Sequence, residues 1–133
     1  MLLVDSSVWV DYFNGVGTAE TDYLDAVLGR EPVATGDLIL AEVLQGFRSD
    51  ADYATARELL ASLAVHEFLG AALALKVAEN YRTLRKKGIT VRKMADTIIA
   101  TYCIKHGIPL LFSDRDFKPF VRHLGLKPAL SGR

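Results

Sequence analysis

Short apolar runs alternate with longer stretches of helical periodicity along this chain. Leu2-Leu3-Val4 is an uninterrupted apolar triplet, the pattern of a strand buried on both faces of a parallel sheet. Ser6 or Ser7 can cap a helix that runs to about Asn14, where Gly15 and Gly17 break it. Residues 18–28 read as a second helix, 32–34 as a strand, and Asp37 as the N-cap of a helix reaching Phe47. Asp50 or Asp52 opens a further helix through Leu63, and residues 65–68 read as a strand. Two long helices follow, 71–87 closed by Gly88 and 91–106 closed by Gly107. Residues 108–112 form the clearest strand, 117–124 a short helix and 126–129 a last edge strand. Strands alternating with helices in this way predict an α/β sandwich around a mostly parallel sheet. No internal repeat, linker or low-complexity tract interrupts it, so one domain over residues 1–133 is expected.

Charge alters this bland picture. Sixteen Lys+Arg balance sixteen Asp+Glu, and zero net charge taken alone argues against a nucleic-acid partner. By halves the balance is lost: residues 1–67 hold twelve acids and three bases, a net of −9, and residues 68–133 hold four acids and thirteen bases, a net of +9. Arg82, Arg85, Lys86, Lys87, Arg92 and Lys93 lie in one segment without an acid, as a surface for an anion would. A solvated helix end reads the same way, because cations favour helix C-termini. Half of the residues are hydrophobic, which excludes disorder for the bulk of the chain. A single cysteine, Cys103, excludes an internal disulfide framework and a multi-cysteine zinc site. Asp5 cuts short the apolar start, and no segment supplies about 18 uncharged apolar residues, so a cytoplasmic protein without membrane contact is expected.

The informative residues are acids inside apolar patterns. Asp5 and Asp114 each follow a predicted strand directly, at the sheet edge where α/β proteins bind ligands. Either could simply cap the helix that follows. Glu42 lies in Leu38-Ile39-Leu40-Ala41-Glu42-Val43-Leu44, with Ile39 and Leu38 one turn back on its own face. Asp96 faces Ile99 and Ala100 in the same manner. A lone ionised carboxylate on such a face costs several kcal/mol unless compensated. A buried ion pair to Arg92 or Arg48 is one compensation. Convergence of all four acids on a hard divalent cation, Mg²⁺ or Mn²⁺, is the other. Such a metal activates water and neutralises phosphoryl charge, so no general-base histidine is required of His66, His106 or His123. No HExxH, P-loop, GxSxG or GxGxxG motif is present.

Val4-Asp5-Ser6-Ser7-Val8-Trp9, Leu40-Ala41-Glu42-Val43, Met94-Ala95-Asp96-Thr97-Ile98-Ile99-Ala100 and Ser113-Asp114-Arg115-Asp116-Phe117 together resemble the PIN-domain ribonucleases. The similarity is greatest to the VapC toxins of type II toxin–antitoxin systems. The resemblance covers essentially the whole chain. It implies a PIN-like three-layer α/β/α sandwich with a central, mostly parallel sheet. It implies catalytic acids at Asp5, Glu42, Asp96 and Asp114, and metal ligation by Asp5, Asp96 and Asp114, with Asp116 as an outer acid. Ser7 matches a hydroxyl that supports the first aspartate. Where the family often carries Thr two residues before the fourth acid, this chain has Phe112, with Ser113 adjacent.

The resemblance further implies Mg²⁺- or Mn²⁺-dependent endoribonuclease activity on structured RNA such as tRNA or a ribosomal RNA loop. It implies a homodimer and inhibition by a cognate VapB-type antitoxin. The basic segment Arg82–Lys93 would draw the RNA phosphates, and Tyr12, Trp9 or Phe117 could stack an unpaired base, with core packing as the other use of each ring. Two other classes are weighed. A non-catalytic RNA- or protein-binding module on this fold predicts lost acids, and none is lost. A phosphoacceptor receiver domain needs an acid pair after the first strand, where this chain reads Asp5-Ser6-Ser7, and a strand-borne lysine, which is missing.

Overall fold

The computed structural model describes residues 1–130; residues 131–133, the end of the expected domain, lie outside the described residues. Four strands, β1 (Leu2–Val4), β2 (Val33–Gly36), β3 (Ala64–His66) and β4 (Leu110–Leu111), form one sheet in the order β3-β2-β1-β4. Every pairing is parallel, with Leu3 opposite Ala34 on one side and Leu110 on the other. Among the described residues, seven α-helices connect and flank the strands: α1 (Ser6–Phe13), α2 (Ala19–Val27), α3 (Asp37–Leu44), α4 (Asp50–Ala61), α5 (Ala71–Lys86), α6 (Met94–His106) and α7 (Lys118–Leu124). One 3₁₀ turn, Arg115–Phe117, precedes α7.

The helices pack in two groups. α1 lies against α2 and α3, and α3 against α4, whereas α5 lies against α6 and α7. Right-handed crossovers account for this division. β1 to β2 to β3 progresses one way across the sheet, and β3 to β4 returns the other way, so their helices cover opposite faces. A parallel sheet buried on both sides needs apolar residues at consecutive positions. Leu3, Val4, Ala34, Leu110 and Leu111 meet that need, packed beneath Trp9, Ile39, Leu60, Ile99 and Phe120. In α6 every residue from Asp96 to Cys103 is buried, which is why its apolar residues go right round the helix.

Several boundaries differ from the pattern reading, each for a local reason. β4 is two residues long instead of five. Ile108 N–H is spent on Cys103 C=O at 2.9 Å as the chain leaves α6 through Gly107 at φ 65°, and Pro109 has no N–H to offer. The expected edge strand at 126–129 is a single bridge, Leu110 to Pro128, that covers the outer side of β4. α1 is capped by Asp5, not by Ser6 or Ser7, and Ser49 caps α4 ahead of the acids expected there. Gly36, not Asp37, stands at the cap of α3; its Cα faces the Phe68 ring so closely that an added Cβ would sit 2.0 Å from Cζ.

Candidate active site

The register of β1 against β4 brings the residues that follow them together. Asp5 N–H donates to Leu111 C=O at 2.9 Å, so the first acid starts where the last strand ends. Asp5 is buried, and its Oδ2 accepts from Ser7 Oγ at 2.6 Å and from Ser7 N at 3.3 Å. Asp114 Oδ1 accepts from Asp116 N at 2.9 Å and thereby caps the 3₁₀ turn. Both aspartates thus cap helical segments at the carboxyl ends of neighbouring parallel strands.

Glu42 and Asp96 arrive from opposite helix layers. Glu42 is half-buried on α3, where Oε1 accepts from Ser6 Oγ at 3.0 Å. Asp96, in the first turn of α6, is 5% exposed, and its Oδ2 is buried without a hydrogen-bond partner. Carboxylate oxygens of Asp96, Asp114 and Asp116 lie within 4.8 Å of one another. Asp5 stands outside that trio but close enough for its charge to act on Asp96. Neither ion pair considered for the helix-borne acids forms: Glu42 takes a serine hydroxyl, and Arg92 bonds Asp116 in place of Asp96.

Like charges in a dry place raise proton affinity. Burial pushes Asp96 up to about 7; the Asp5 charge adds to this, Lys93 opposes it, and Asp114 and Asp116 contribute further. Burial likewise raises Asp5, against the lowering effect of its Ser7 bonds, and Glu42 adds repulsion. Burial, with the Asp5 charge behind it, pushes the Cys103 thiol up to about 12, which leaves it a packing residue. Two cations lean over the outer acids: Arg92 Nη2 lies 3.1 and 3.2 Å from the Asp116 oxygens, and Lys93 Nζ 3.6 Å from Asp114 Oδ2. Both are mostly exposed, so these pairs are weak.

The donor set fits a hard divalent cation. It consists of carboxylate oxygens alone, three of them already near one another, and it includes one buried oxygen with nothing to bind. Ser7 Oγ lies 2.6 Å from Asp5 Oδ2 and 3.5 Å from Ser113 Oγ, so the two serines stand together beneath the first acid, with Phe112 turned to pack on Phe117.

The basic residues divide. Arg82, Arg85, Lys86 and Lys87 are exposed on the last turns of α5, while Arg92 and Lys93 lead into α6 at the acids. Gly88 at φ 81° ends α5, so the helix-end reading of this segment also holds. Of the rings expected to meet a base, Trp9 and Phe117 are 0% exposed and belong to the core, and Tyr12 donates its hydroxyl to Asp25 at 3.1 Å. The ring that does stand among the arginines is Tyr81, half-buried, with the Arg85 guanidinium 5.6 Å from its centroid. Nothing in the sequence pattern marks Tyr81 as a groove residue or pairs Ser6 with Glu42; the i,i+4 spacing of Tyr81 and Arg85 is the available signal for the first.

A parallel β3-β2-β1-β4 sheet with acids gathered at the carboxyl ends of its two neighbouring strands defines the PIN class, and the PIN domain family matches residues 2–121. The VapC ribonuclease Mb1587 of Mycobacterium bovis is 32% identical over 134 residues, covering 97% of this chain and 98% of its own. Ribonuclease VapC11 of Mycobacterium tuberculosis matches to the same extent. The chain therefore belongs to the PIN-domain family, among its VapC ribonucleases. Its fold is shared by VapBC2 from Rickettsia felis, solved bound to a promoter DNA fragment, with a TM-score of 0.75, 19% identity and 96% of each chain covered. It is shared too by the sarcin-ricin loop cleaving toxin VapC20 of Mycobacterium tuberculosis, with a TM-score of 0.67, 21% identity, and 89% of this chain and 93% of that one covered.

Proposed function

We propose that this chain is a metal-dependent endoribonuclease toxin that cuts structured RNA, a tRNA or a ribosomal RNA loop, and is neutralised by a VapB-type antitoxin. The observation that carries the metal dependence is the buried, unpartnered Asp96 carboxylate among three other acids. The named activities of the VapC relatives support the ribonuclease reading, and the VapBC complexes among the fold neighbours support the antitoxin. The reading takes residues 1–133 as one PIN domain that works as a homodimer in the cytoplasm.

Asp5, Asp96, Asp114 and Asp116 would hold Mg²⁺ or Mn²⁺. A divalent cation bound there would supply Lewis acidity toward water and positive charge to offset that of the scissile phosphoryl group. Glu42, held by Ser6, would complete the catalytic acids at the side of the site where its charge acts on Asp5. Ser7 fixes the Asp5 carboxylate, with Ser113 beside it. Arg82, Arg85, Lys86, Lys87, Arg92 and Lys93 attract the RNA backbone, which the acids alone would repel. Purified protein incubated with total RNA and Mn²⁺ should leave discrete fragments, and Asp96→Asn should leave none while melting as a folded protein. Cleavage by Asp96→Asn at the wild-type rate would sink the site assignment.

A further inference from the structure

A groove of about 630 Å³ runs between α5 and the start of α6, and nothing in the acid site uses it. Its walls are apolar, with Val77 and the half-buried Tyr81 on α5, and the exposed Met94 beside it at the head of α6. Arg82, Arg85 and Arg92 stand on its rim, and no acid lines it. Thr97 lines it too; this residue is 1% exposed, and its hydroxyl oxygen is buried with no hydrogen-bond partner. Arg92 reaches from the rim to Asp116, which ties the groove to the acid site.

Apolar walls with one aromatic ring and a cationic rim together match one kind of chemical group. A nucleotide has an apolar base face, a hydrogen-bonding base edge and an anionic phosphate. Bases stack on aromatic rings and on guanidinium planes alike, and Arg85 over Tyr81 offers both. Pockets of roughly 300–1,000 Å³ hold small-molecule groups of this order. We infer that the groove is a subsite for one unpaired nucleobase next to the scissile phosphate, the base seated against Tyr81 and the Arg85 guanidinium, with its flanking phosphates on Arg82 and Arg92. This rests on the ribonuclease reading and specifies its substrate: a loop with a base free to leave the stack.

The test uses the full chain with EDTA present, so that nothing is cut, and single-stranded hexaribonucleotides of A, C, G or U, each paired with a version abasic at one position. The wild-type protein should bind one base in preference to the others, and an abasic substitution at one position should weaken binding about tenfold, as loss of one stacked base does. Tyr81→Leu, which keeps an apolar wall but removes the ring, should erase most of the difference between intact and abasic hexamers while the melting temperature holds. Met94→Glu, at an exposed position, should weaken every hexamer. Equal binding of intact and abasic hexamers, alongside Mn²⁺-dependent cleavage, overturns the subsite and leaves the ribonuclease reading standing. Failure both to bind and to cleave RNA, with an acidic amphipathic peptide bound in a Met94→Glu-sensitive manner, overturns both and assigns the groove to a protein.

Discussion

Ser6 Oγ holds Glu42 Oε1 at 3.0 Å across 36 residues of sequence. The bond ties the start of α1, the helix whose cap is Asp5, to the middle of α3. It sets the direction of a carboxylate whose charge acts on Asp5. Ser6→Ala should therefore cost about 1–2 kcal/mol of stability and slow RNA cleavage about tenfold, the range seen when an outer partner of a site carboxylate is lost. Thermal melting and single-turnover cleavage measure the two. An unchanged rate with lowered stability would show that Ser6 serves the fold alone.

The Asp96 carboxyl yields a pH dependence whose sign can be worked out. Its proton affinity in the folded chain is raised from 3.8 to about 7. Between those values the folded state holds a proton that the unfolded state has released, so stability falls as pH rises through that window and levels off above about 7. In EDTA the melting temperature should drop from pH 4.5 to 7.5 through this contribution. Asp96→Asn, which cannot ionise, should lose that part of the slope and melt higher than wild type at pH 7.5. Mn²⁺ should stabilise the wild type and not the variant. Equal slopes for the two proteins in EDTA would refute the burial argument.

The four principal acids were legible because each breaks an apolar pattern, and burying a charge has a cost that a reader of sequence can see. Their joint location was legible only as an inference from strand ends. What could not be read is pairing between elements. Whether Arg92 meets Asp96 or Asp116 turns on where the chain places a guanidinium at the head of α6. Aromatics near a site read alike whether they pack or stack: Trp9 and Phe117 are core, whereas Tyr81, hidden in a charged helix, lines a groove. β4 is shorter than the apolar run 108–112 because Pro109 has no N–H to donate and the Ile108 N–H closes α6, neither of which hydrophobicity reveals.

The basic segment should be visible in salt dependence. If Arg82, Arg85, Lys86, Lys87, Arg92 and Lys93 engage about four to six phosphates, log affinity should fall with log salt at a slope near −3 to −4 for single-stranded RNA. Replacing Arg82, Arg85 and Lys86 together by Ala should bring the slope about 2 units closer to zero. These residues are exposed, so stability should change little. A slope unmoved by the triple replacement would take α5 off the RNA surface and leave only Arg92 and Lys93, the two cations that already touch the outer acids.

Gly36 offers a test of how β2 and α3 carry Glu42 to the site. Its backbone is extended, at φ −128°, so the constraint on it is space and not conformation. A Cβ there would lie 2.0 to 2.4 Å from three atoms of the Phe68 ring, which is itself 3% exposed and packed on Tyr102 at 4.6 Å. The ring cannot turn aside without disturbing Tyr102, whose hydroxyl is bonded to His66 on the edge strand. Gly36→Ala should therefore destabilise the fold by about 1–3 kcal/mol, as overpacking does. Phe68→Leu alone leaves a gap and also destabilises, but the double variant should recover part of the loss, because the smaller side chain makes room for the methyl group. Chemical denaturation of the four proteins gives the coupling directly. Additive losses would mean that the strand moves to accept the Cβ, and Glu42, one helix turn and a half farther along α3, should then move with it and lose cleavage out of proportion to stability.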